Sequence, residues 1–180
     1  ISLNMLAGPW IITGIFVYQS FISDAKSWSS FAIPKAFMIY SFTSILSLIL
    51  SGILVDRFTS RKLLPIINIP LLLSMITLFS TQNEISAYIF LGLIGISNGL
   101  ANVLGSSTWA EIYGVKYIGS IKALTTALMV FATAFGTAMF GFLIDNGFSI
   151  EEISIISAIY ISISLIMLFL IRNKLNPIID

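Results

Sequence analysis

The sequence predicts an all-α fold, a polytopic bundle of six membrane-spanning helices. Of its 180 residues, 57% are hydrophobic and only 9% are charged, whereas soluble domains are about one quarter charged. Six mostly apolar stretches have about the 20 residues that a helix needs to cross a bilayer. Charged residues fall between these stretches or within a turn or two of their ends. Because charge is costly in hydrocarbon, this arrangement is typical of membrane helices joined by short loops in water.

The chain divides into six predicted spans joined by short polar connections. The spans cover about residues 3–22, 31–55, 63–80, 85–110, 120–144 and 148–171. In the last connection, Asp145, Asn146 and Gly147 form a turn signal. Apolar sequence begins at once after Ile1, without the basic region of a signal peptide. We therefore expect the chain to be a fragment, cut shortly before its first span or inside it.

Proline and glycine within the spans predict where helices bend or approach each other. Gly8 and Pro9 predict a kink in the first span, because proline removes one helical hydrogen bond. Gly95 and Gly99 form a GxxxG pair in the fourth span, and Gly136 belongs to a similar small-residue pair in the fifth. Small residues at this spacing predict close packing of helix backbones.

The functional groups that most enzymes use are missing from the sequence. There is no cysteine and no histidine, which removes the commonest general base and two common metal ligands. The acidic residues are scattered among different connections, so they do not converge on one site. No basic cluster exceeds three residues, so a nucleic acid is not an expected partner. We expect neither an enzyme nor a protein that holds a metal or cofactor.

The cations are distributed unequally between the two ends of the predicted bundle. The second and fourth connections and the C-terminal tail carry Arg57, Arg61, Lys62, Lys116, Lys122, Arg172 and Lys174. The other connections carry only Lys26 and Lys35. Because short cytoplasmic loops are enriched in Lys and Arg, the sequence predicts that both termini are cytoplasmic.

Polar residues inside the spans are candidates for lining a cavity, because polar groups in hydrocarbon face a cavity or another helix. These candidates are Tyr18, Gln19, Tyr40, Ser44, Asn98, Asn102 and Thr125. Asn98 and Asn102 are four residues apart, so they share one helix face. An interhelical hydrogen bond explains these asparagines equally well, and hydroxyl side chains in membrane helices usually bond to their own backbone.

A short cation-rich segment separates the second and third spans. Its pattern is Gly52-x-x-x-Asp56-Arg57-Phe58-x-x-Arg61-Lys62. This pattern resembles the loop signature of the Major Facilitator Superfamily, although Thr59 stands where that family usually has glycine. Residues 109–124 are similar to the segment that joins spans ten and eleven in many bacterial members, and residues 141–145 resemble the end of span eleven.

The resemblance implies both an architecture and a function. The chain would be the C-terminal six-helix half, spans seven to twelve, of a twelve-span protein, and its partners would be the lipid bilayer and a missing N-terminal half. Family members transport small solutes by alternating access between the two halves. Transport would be secondary active or facilitative, with or without a coupling proton or ion, across a bacterial inner (plasma) membrane. Residues 109–124 and the cation of Lys35 favour an organic anion such as a monocarboxylate.

The resemblance also implies a mechanical role for the cation-rich segment. Gly52, Asp56, Arg57, Arg61 and Lys62, here called the gating motif, would act on the cytoplasmic side. Asp56 is predicted at the C-terminal end of its helix, where the helix dipole disfavours negative charge. We therefore expect it to pair with a helix N-terminus or with an arginine across the interface between halves. The alternative is that Arg61 and Lys62 only set the membrane topology.

Two other classes of protein compete with the transporter hypothesis. One is a complete six-span protein that forms a homo-oligomeric pore or scaffold. The other is a membrane-embedded enzyme, which would need acidic or histidine side chains gathered near the interface. The apolar start of the chain and the loop signature argue against the six-span protein, and the scattered acids and the lack of histidine argue against the enzyme.

Overall fold

The computed structural model describes residues 1–114 and 116–171. Every regular element within these ranges is a helix, so the predicted all-α class is confirmed. Five helical segments are long and apolar enough to cross a membrane, and a bent pair at the N-terminus makes a sixth. The chain is therefore a polytopic bundle of membrane helices. Arg172 and Lys174, which belong to the predicted C-terminal tail, lie outside the described residues.

The helices are numbered in chain order. They are α1 (Ser2–Val17), α2 (Gln19–Ala25), α3 (Ala32–Arg57), α4 (Ser60–Leu63), α5 (Asn68–Ser80), α6 (Ile85–Tyr113), α7 (Ile118–Asp145) and α8 (Ile150–Ile171). A 3₁₀ turn, Leu64–Ile67, joins α4 to α5, and the three elements together form the third span. Helix α6 extends beyond the predicted end of the fourth span, which shortens the connection to α7.

Two of the spans are not continuous α-helices. In the first span, the interruption is not at Pro9, where the sequence predicts a kink. Helix α1 continues through Pro9, and the chain instead bends by 68° at Tyr18, between α1 and α2. The third span changes from α-helix to a 3₁₀ turn and back. Pro65 lies in that turn and Pro70 lies just inside α5. Because neither proline can donate a backbone hydrogen bond, a regular α-helical ladder cannot run through this segment.

Glycines bring the central helices into backbone contact. A Cβ atom at Gly95 would overlap the carbonyl of Tyr40 in α3, and one at Gly99 would overlap the carbonyl of Ser44. A Cβ atom at Gly136 in α7 would overlap the backbone of α1. These contacts confirm the close helix packing that the small-residue pairs predict.

The bundle has an apolar interior and an apolar exterior. Side chains from α1, α3, α5, α6, α7 and α8 form the main core, with Phe90, Met75 and Phe140 among its fully buried members. Outward-facing residues are also apolar, as Phe42 and Ile49 of α3 show. A soluble protein would bury such side chains, so the exterior is suited to contact with lipid.

Polar contacts tie the loops together at one end of the bundle. Lys26 Nζ lies 2.7 Å from Glu151 Oε1 and donates a hydrogen bond to the Thr81 carbonyl at 3.1 Å. Trp28 Nε1 donates to the Gln82 carbonyl at 3.0 Å. This end, formed by the α2–α3 and α5–α6 connections and the start of α8, is called the clasp end. The turn between α3 and α4 lies at the opposite, cation-rich end.

Candidate functional site

A cavity of about 570 Å³ opens between α1, α6 and α7, with the start of α5 contributing to its wall. Helix α1 supplies Met5 and Pro9, and the third span supplies Asn68. Polar side chains of α6 and α7 line the remaining walls: Ser97, Asn98, Asn102, Ser106, Lys122, Thr125, Thr126 and Thr133. The lining thus combines apolar surface with a few hydrogen-bonding groups, as small-molecule sites in proteins usually do.

Three of the predicted cavity residues form one hydrogen-bond network. Asn98 lines the cavity, and its Nδ2 donates to the Tyr40 hydroxyl at 3.0 Å and to Ser44 Oγ at 3.3 Å. Tyr40 and Ser44 belong to α3, so the network crosses the α3–α6 interface. Asn98 therefore makes the interhelical hydrogen bond and also borders the cavity.

Two further predicted residues line the cavity without linking helices. Asn102 Nδ2 donates to the carbonyl of Asn98, one turn earlier in α6, at 2.9 Å. The hydroxyl of Thr125 donates to the carbonyl of Ile121 at 2.9 Å. Each side chain thus donates one hydrogen bond to a carbonyl of its own helix, and its oxygen lone pairs can accept hydrogen bonds.

Tyr18 and Gln19 lie away from this group. Tyr18 is at the bend between α1 and α2, where its hydroxyl occupies the space beside Gly141 of α7. Gln19 begins α2 and is partly exposed. Neither residue lines the cavity.

The structure adds Asn68 and Lys122 to the cavity. Asn68 is buried at the first position of α5, and its signal in the sequence is a polar residue between Pro65 and Pro70 within an apolar span. In the sequence, Lys122 counts only among the cations that predict the membrane orientation. In the part of the lining that the structure describes, Lys122 is the only charged side chain.

The gating motif is held in place by Glu111, a residue without a predicted role. Glu111 lies near the C-terminal end of α6, and its carboxylate accepts hydrogen bonds from the backbone N–H groups of Ser60, at 2.7 Å, and Arg61, at 3.3 Å. Arg61 Nε also lies 3.4 Å from Glu111 Oε2. The carboxylate thus satisfies donors at the start of α4 and neutralises one cation of the motif.

The other gating-motif residues point away from the bundle. Asp56, Arg57 and Lys62 are exposed, and a Cβ atom at Gly52 would meet open space. Within residues 1–114 and 116–171, Asp56 makes no hydrogen bond or ion pair through its carboxylate. The expected partner of Asp56 is therefore not among the described residues.

The family model described as Major Facilitator Superfamily matches residues 1–178. The chain belongs to this superfamily. No curated protein and no solved structure was found to match it.

Membership of the Major Facilitator Superfamily fixes the general activity. The superfamily consists of transporters, so the chain is an integral membrane protein that serves the transport of a small solute. Its apolar exterior contacts the lipid bilayer. In superfamily transporters the substrate lies near the middle of the membrane, between six-helix halves.

Proposed function

We propose that the chain is the C-terminal six-helix half of a twelve-span transporter that moves a small organic anion, such as a monocarboxylate, by alternating access. The observation that carries the proposal is Lys122, the only charged side chain among the described residues of the cavity lining. Lys122 is itself exposed, so its ammonium group would attract an anion at the open rim of the cavity. The neutral polar residues around it can hydrogen-bond to the rest of the solute.

Lys122, rather than Lys35, is the cation that supports an anionic solute. Lys35, which suggested an anion in the sequence, is exposed near the start of α3 and does not line the cavity. Lys122 lies near the start of α7, close to the cation-rich end. With this end in the cytoplasm, as the cation distribution favours, Lys122 would meet a solute near the cytoplasmic mouth of the cavity.

The two-half architecture is tested by the mass of the native protein. We expect intact mass spectrometry of the membrane-inserted product to give about twice the 19.7 kDa of this chain. A product of 19.7 kDa would instead favour a six-span protein that assembles with copies of itself. In the two-half protein, the N-terminal half would also hold any coupling proton or ion site, because no carboxylate lines the described part of this cavity.

Substitution of Lys122 tests the proposed substrate class. We expect Lys122→Gln to raise the KM for monocarboxylate uptake up to about fivefold, because an exposed charge pair screened by solvent contributes up to about 1 kcal/mol. Uptake of radiolabelled acids into proteoliposomes measures this change. Lys122→Arg should keep most of the affinity, and Lys35→Gln is the matched control for loss of a cation outside the cavity. Equal KM values for Lys122→Gln and the unmodified protein would refute the anion proposal.

The gating motif is proposed to hold the cytoplasmic side closed during part of the transport cycle. Glu111 fixes the α3–α4 turn, while the exposed carboxylate of Asp56 is free of partners among the described residues. We therefore assign the partner of Asp56 to the N-terminal half. In this arrangement the turn is anchored to its own half by Glu111 and reaches the other half through Asp56.

Two isosteric substitutions separate anchoring from gating. We expect Asp56→Asn to slow transport several-fold without lowering thermal stability, because the carboxylate makes no contact within the described bundle. Glu111→Gln should lower stability by about 1–2 kcal/mol, because it weakens the hydrogen bonds to the start of α4. Uptake rates and thermal unfolding in detergent measure both effects. If the Asp56→Asn variant transports at the rate of the unmodified protein, the gating motif only sets the membrane topology.

A further inference from the structure

Asn68 carries a buried hydrogen-bond acceptor that no described residue satisfies. The residue is 1% exposed and lines the cavity, at the junction between the 3₁₀ turn and α5. Its Nδ2 donates to the backbone carbonyl of Asn4 at 2.6 Å. Because a carbonyl oxygen only accepts hydrogen bonds, this contact fixes the orientation of the amide. Oδ1 is the remaining atom, and it has no partner within the described ranges.

Asn4, whose carbonyl receives the hydrogen bond from Asn68, is also buried, and both atoms of its side-chain amide lack a partner within the described ranges. Other polar groups nearby are bonded: the carbonyl of Ile67 accepts a hydrogen bond from Ser97 Oγ at 2.7 Å. Most hydroxyl groups of the spans likewise bond to backbone carbonyls, as in Thr125. A buried polar atom without a partner costs about 1–3 kcal/mol, so it is retained where a ligand or water supplies the missing hydrogen bond.

Helix α1 forms the wall beside Asn68. Pro9 has no N–H group, so it cannot donate to the carbonyl of Met5, four residues earlier. Met5 and Pro9 both line the cavity, as Asn68 does. The proline thus removes one backbone donor from the wall that borders Asn68.

The charges of the cavity lining limit which chemical group of a solute can donate a hydrogen bond to Asn68 Oδ1. No aspartate or glutamate is among the described lining residues, and the one charge present is the cation of Lys122. An ammonium group on the solute would find no counter-charge and would be repelled by Lys122. A hydroxyl group is neutral and donates one hydrogen bond, so it suits Asn68 Oδ1 better.

We propose that Asn68 is a specificity-determining residue whose Oδ1 accepts a hydrogen bond from a hydroxyl group of the transported anion. The substrate class is then a small hydroxylated carboxylate, with the carboxylate at Lys122 and the hydroxyl at the wall formed by α1 and α5. The inference rests on the proposed anion transport and refines its substrate class. Asn68 lines the cavity and Asn4 does not, so a solute would reach Oδ1 of Asn68 once this buried amide turns toward the cavity.

The wild-type transporter provides the first test, which needs no variant. Propionate, lactate and glycerate have the same charge and three carbons, and they carry zero, one and two hydroxyl groups. We expect lactate or glycerate to compete for uptake into proteoliposomes about tenfold better than propionate, because a hydroxyl group adds one well-formed hydrogen bond. Equal competition by all three acids would overturn the role of Asn68 and leave anion transport intact. Failure of every acid to compete would overturn the anion proposal itself.

The second test assigns the discrimination to Asn68. Asn68→Leu removes the acceptor at nearly constant volume, and we expect it to abolish the preference for the hydroxy acid while changing the KM for propionate little. Asn146→Leu, at the exposed end of α7, is the matched control for the loss of an asparagine. If Asn68→Leu alters the KM of propionate and of the hydroxy acids equally, Oδ1 serves a buried water or the fold, and the inference fails. If the variant does not insert, the competition series in the unmodified protein still decides the question.

Discussion

Replacing Gly99 with leucine will prevent α6 from packing against α3. A Cβ atom at this position would overlap the Ser44 carbonyl and would lie too close to the Ser47 side chain and the backbone nitrogen of Leu48. Two of these three groups are backbone, so they cannot move aside by changing a rotamer. We expect a loss of at least about 3 kcal/mol in stability, since overpacking costs 1–3 kcal/mol even where side chains can adjust. Thermal unfolding and size-exclusion profiles in detergent measure the loss.

A glycine in the same helix provides the control for this effect. Gly105 also lies in α6, but a Cβ atom there would meet no other atom within 4 Å. Gly105→Leu should therefore fold as well as the unmodified protein, although its side chain borders the cavity. Gly99→Ala should also be destabilised, because the overlap begins at the Cβ atom itself. Similar melting temperatures for Gly99→Leu and Gly105→Leu would show that the two helices are not in backbone contact.

Hydropathy and residue spacing were sufficient to predict the fold class. Backbone polar groups in a bilayer must be hydrogen-bonded within the protein, which leaves helices and closed β-barrels. A continuous apolar stretch of about 20 residues has the length of a helix, whereas a barrel strand needs only about 9–11 residues. The Gly95 and Gly99 pair identified the helix face that approaches a neighbour most closely, because spacing along a helix is a local property. The same local rule placed Asn98 and Asn102 on one face, and both line the cavity.

Contacts between spans could not be read from the sequence in this way. The partnership of Glu111 with Ser60 and Arg61 depends on α6 ending beside the α3–α4 turn, and hydropathy carries no information about neighbours. The bend at Tyr18 has no proline or glycine at its own position, whereas Pro9 lies in a continuous helix. Tertiary packing therefore determines where this span bends.

The burial of Lys26 likewise depends on tertiary structure. The sequence shows only a lysine in a polar connection, but its side chain is 0% exposed and contacts Glu151 across the clasp end. Glu151 also accepts a hydrogen bond from Gln82 Nε2 at 2.9 Å, so one carboxylate joins three parts of the chain. The contacts unite the connection after α2, the connection before α6 and the first turn of α8.

We expect Glu151→Gln to destabilise the bundle by about 3 kcal/mol, because it leaves the Lys26 ammonium buried without a counter-charge. The substitution keeps the size of the side chain and its hydrogen bond from Gln82, so the change isolates the charge. Thermal unfolding in detergent measures the effect, and high salt should alter it little, because a buried pair is poorly screened. The matched control is Glu152→Gln, whose exposed carboxylate bonds only to Ser149 and should have a much smaller effect.

A double substitution distinguishes the buried charge from other causes of instability. Lys26→Met removes the ammonium while it keeps most of the apolar stem that fills the site. In the double variant Lys26→Met with Glu151→Gln, no unpaired charge remains, so the melting temperature should recover part of the loss seen with Glu151→Gln alone. Additive losses would show that the two side chains act independently and that the clasp end is held by Trp28 and its hydrogen bond to the Gln82 carbonyl instead. Recovery would establish that the charge pair, rather than the loop backbone, holds these three parts of the chain together.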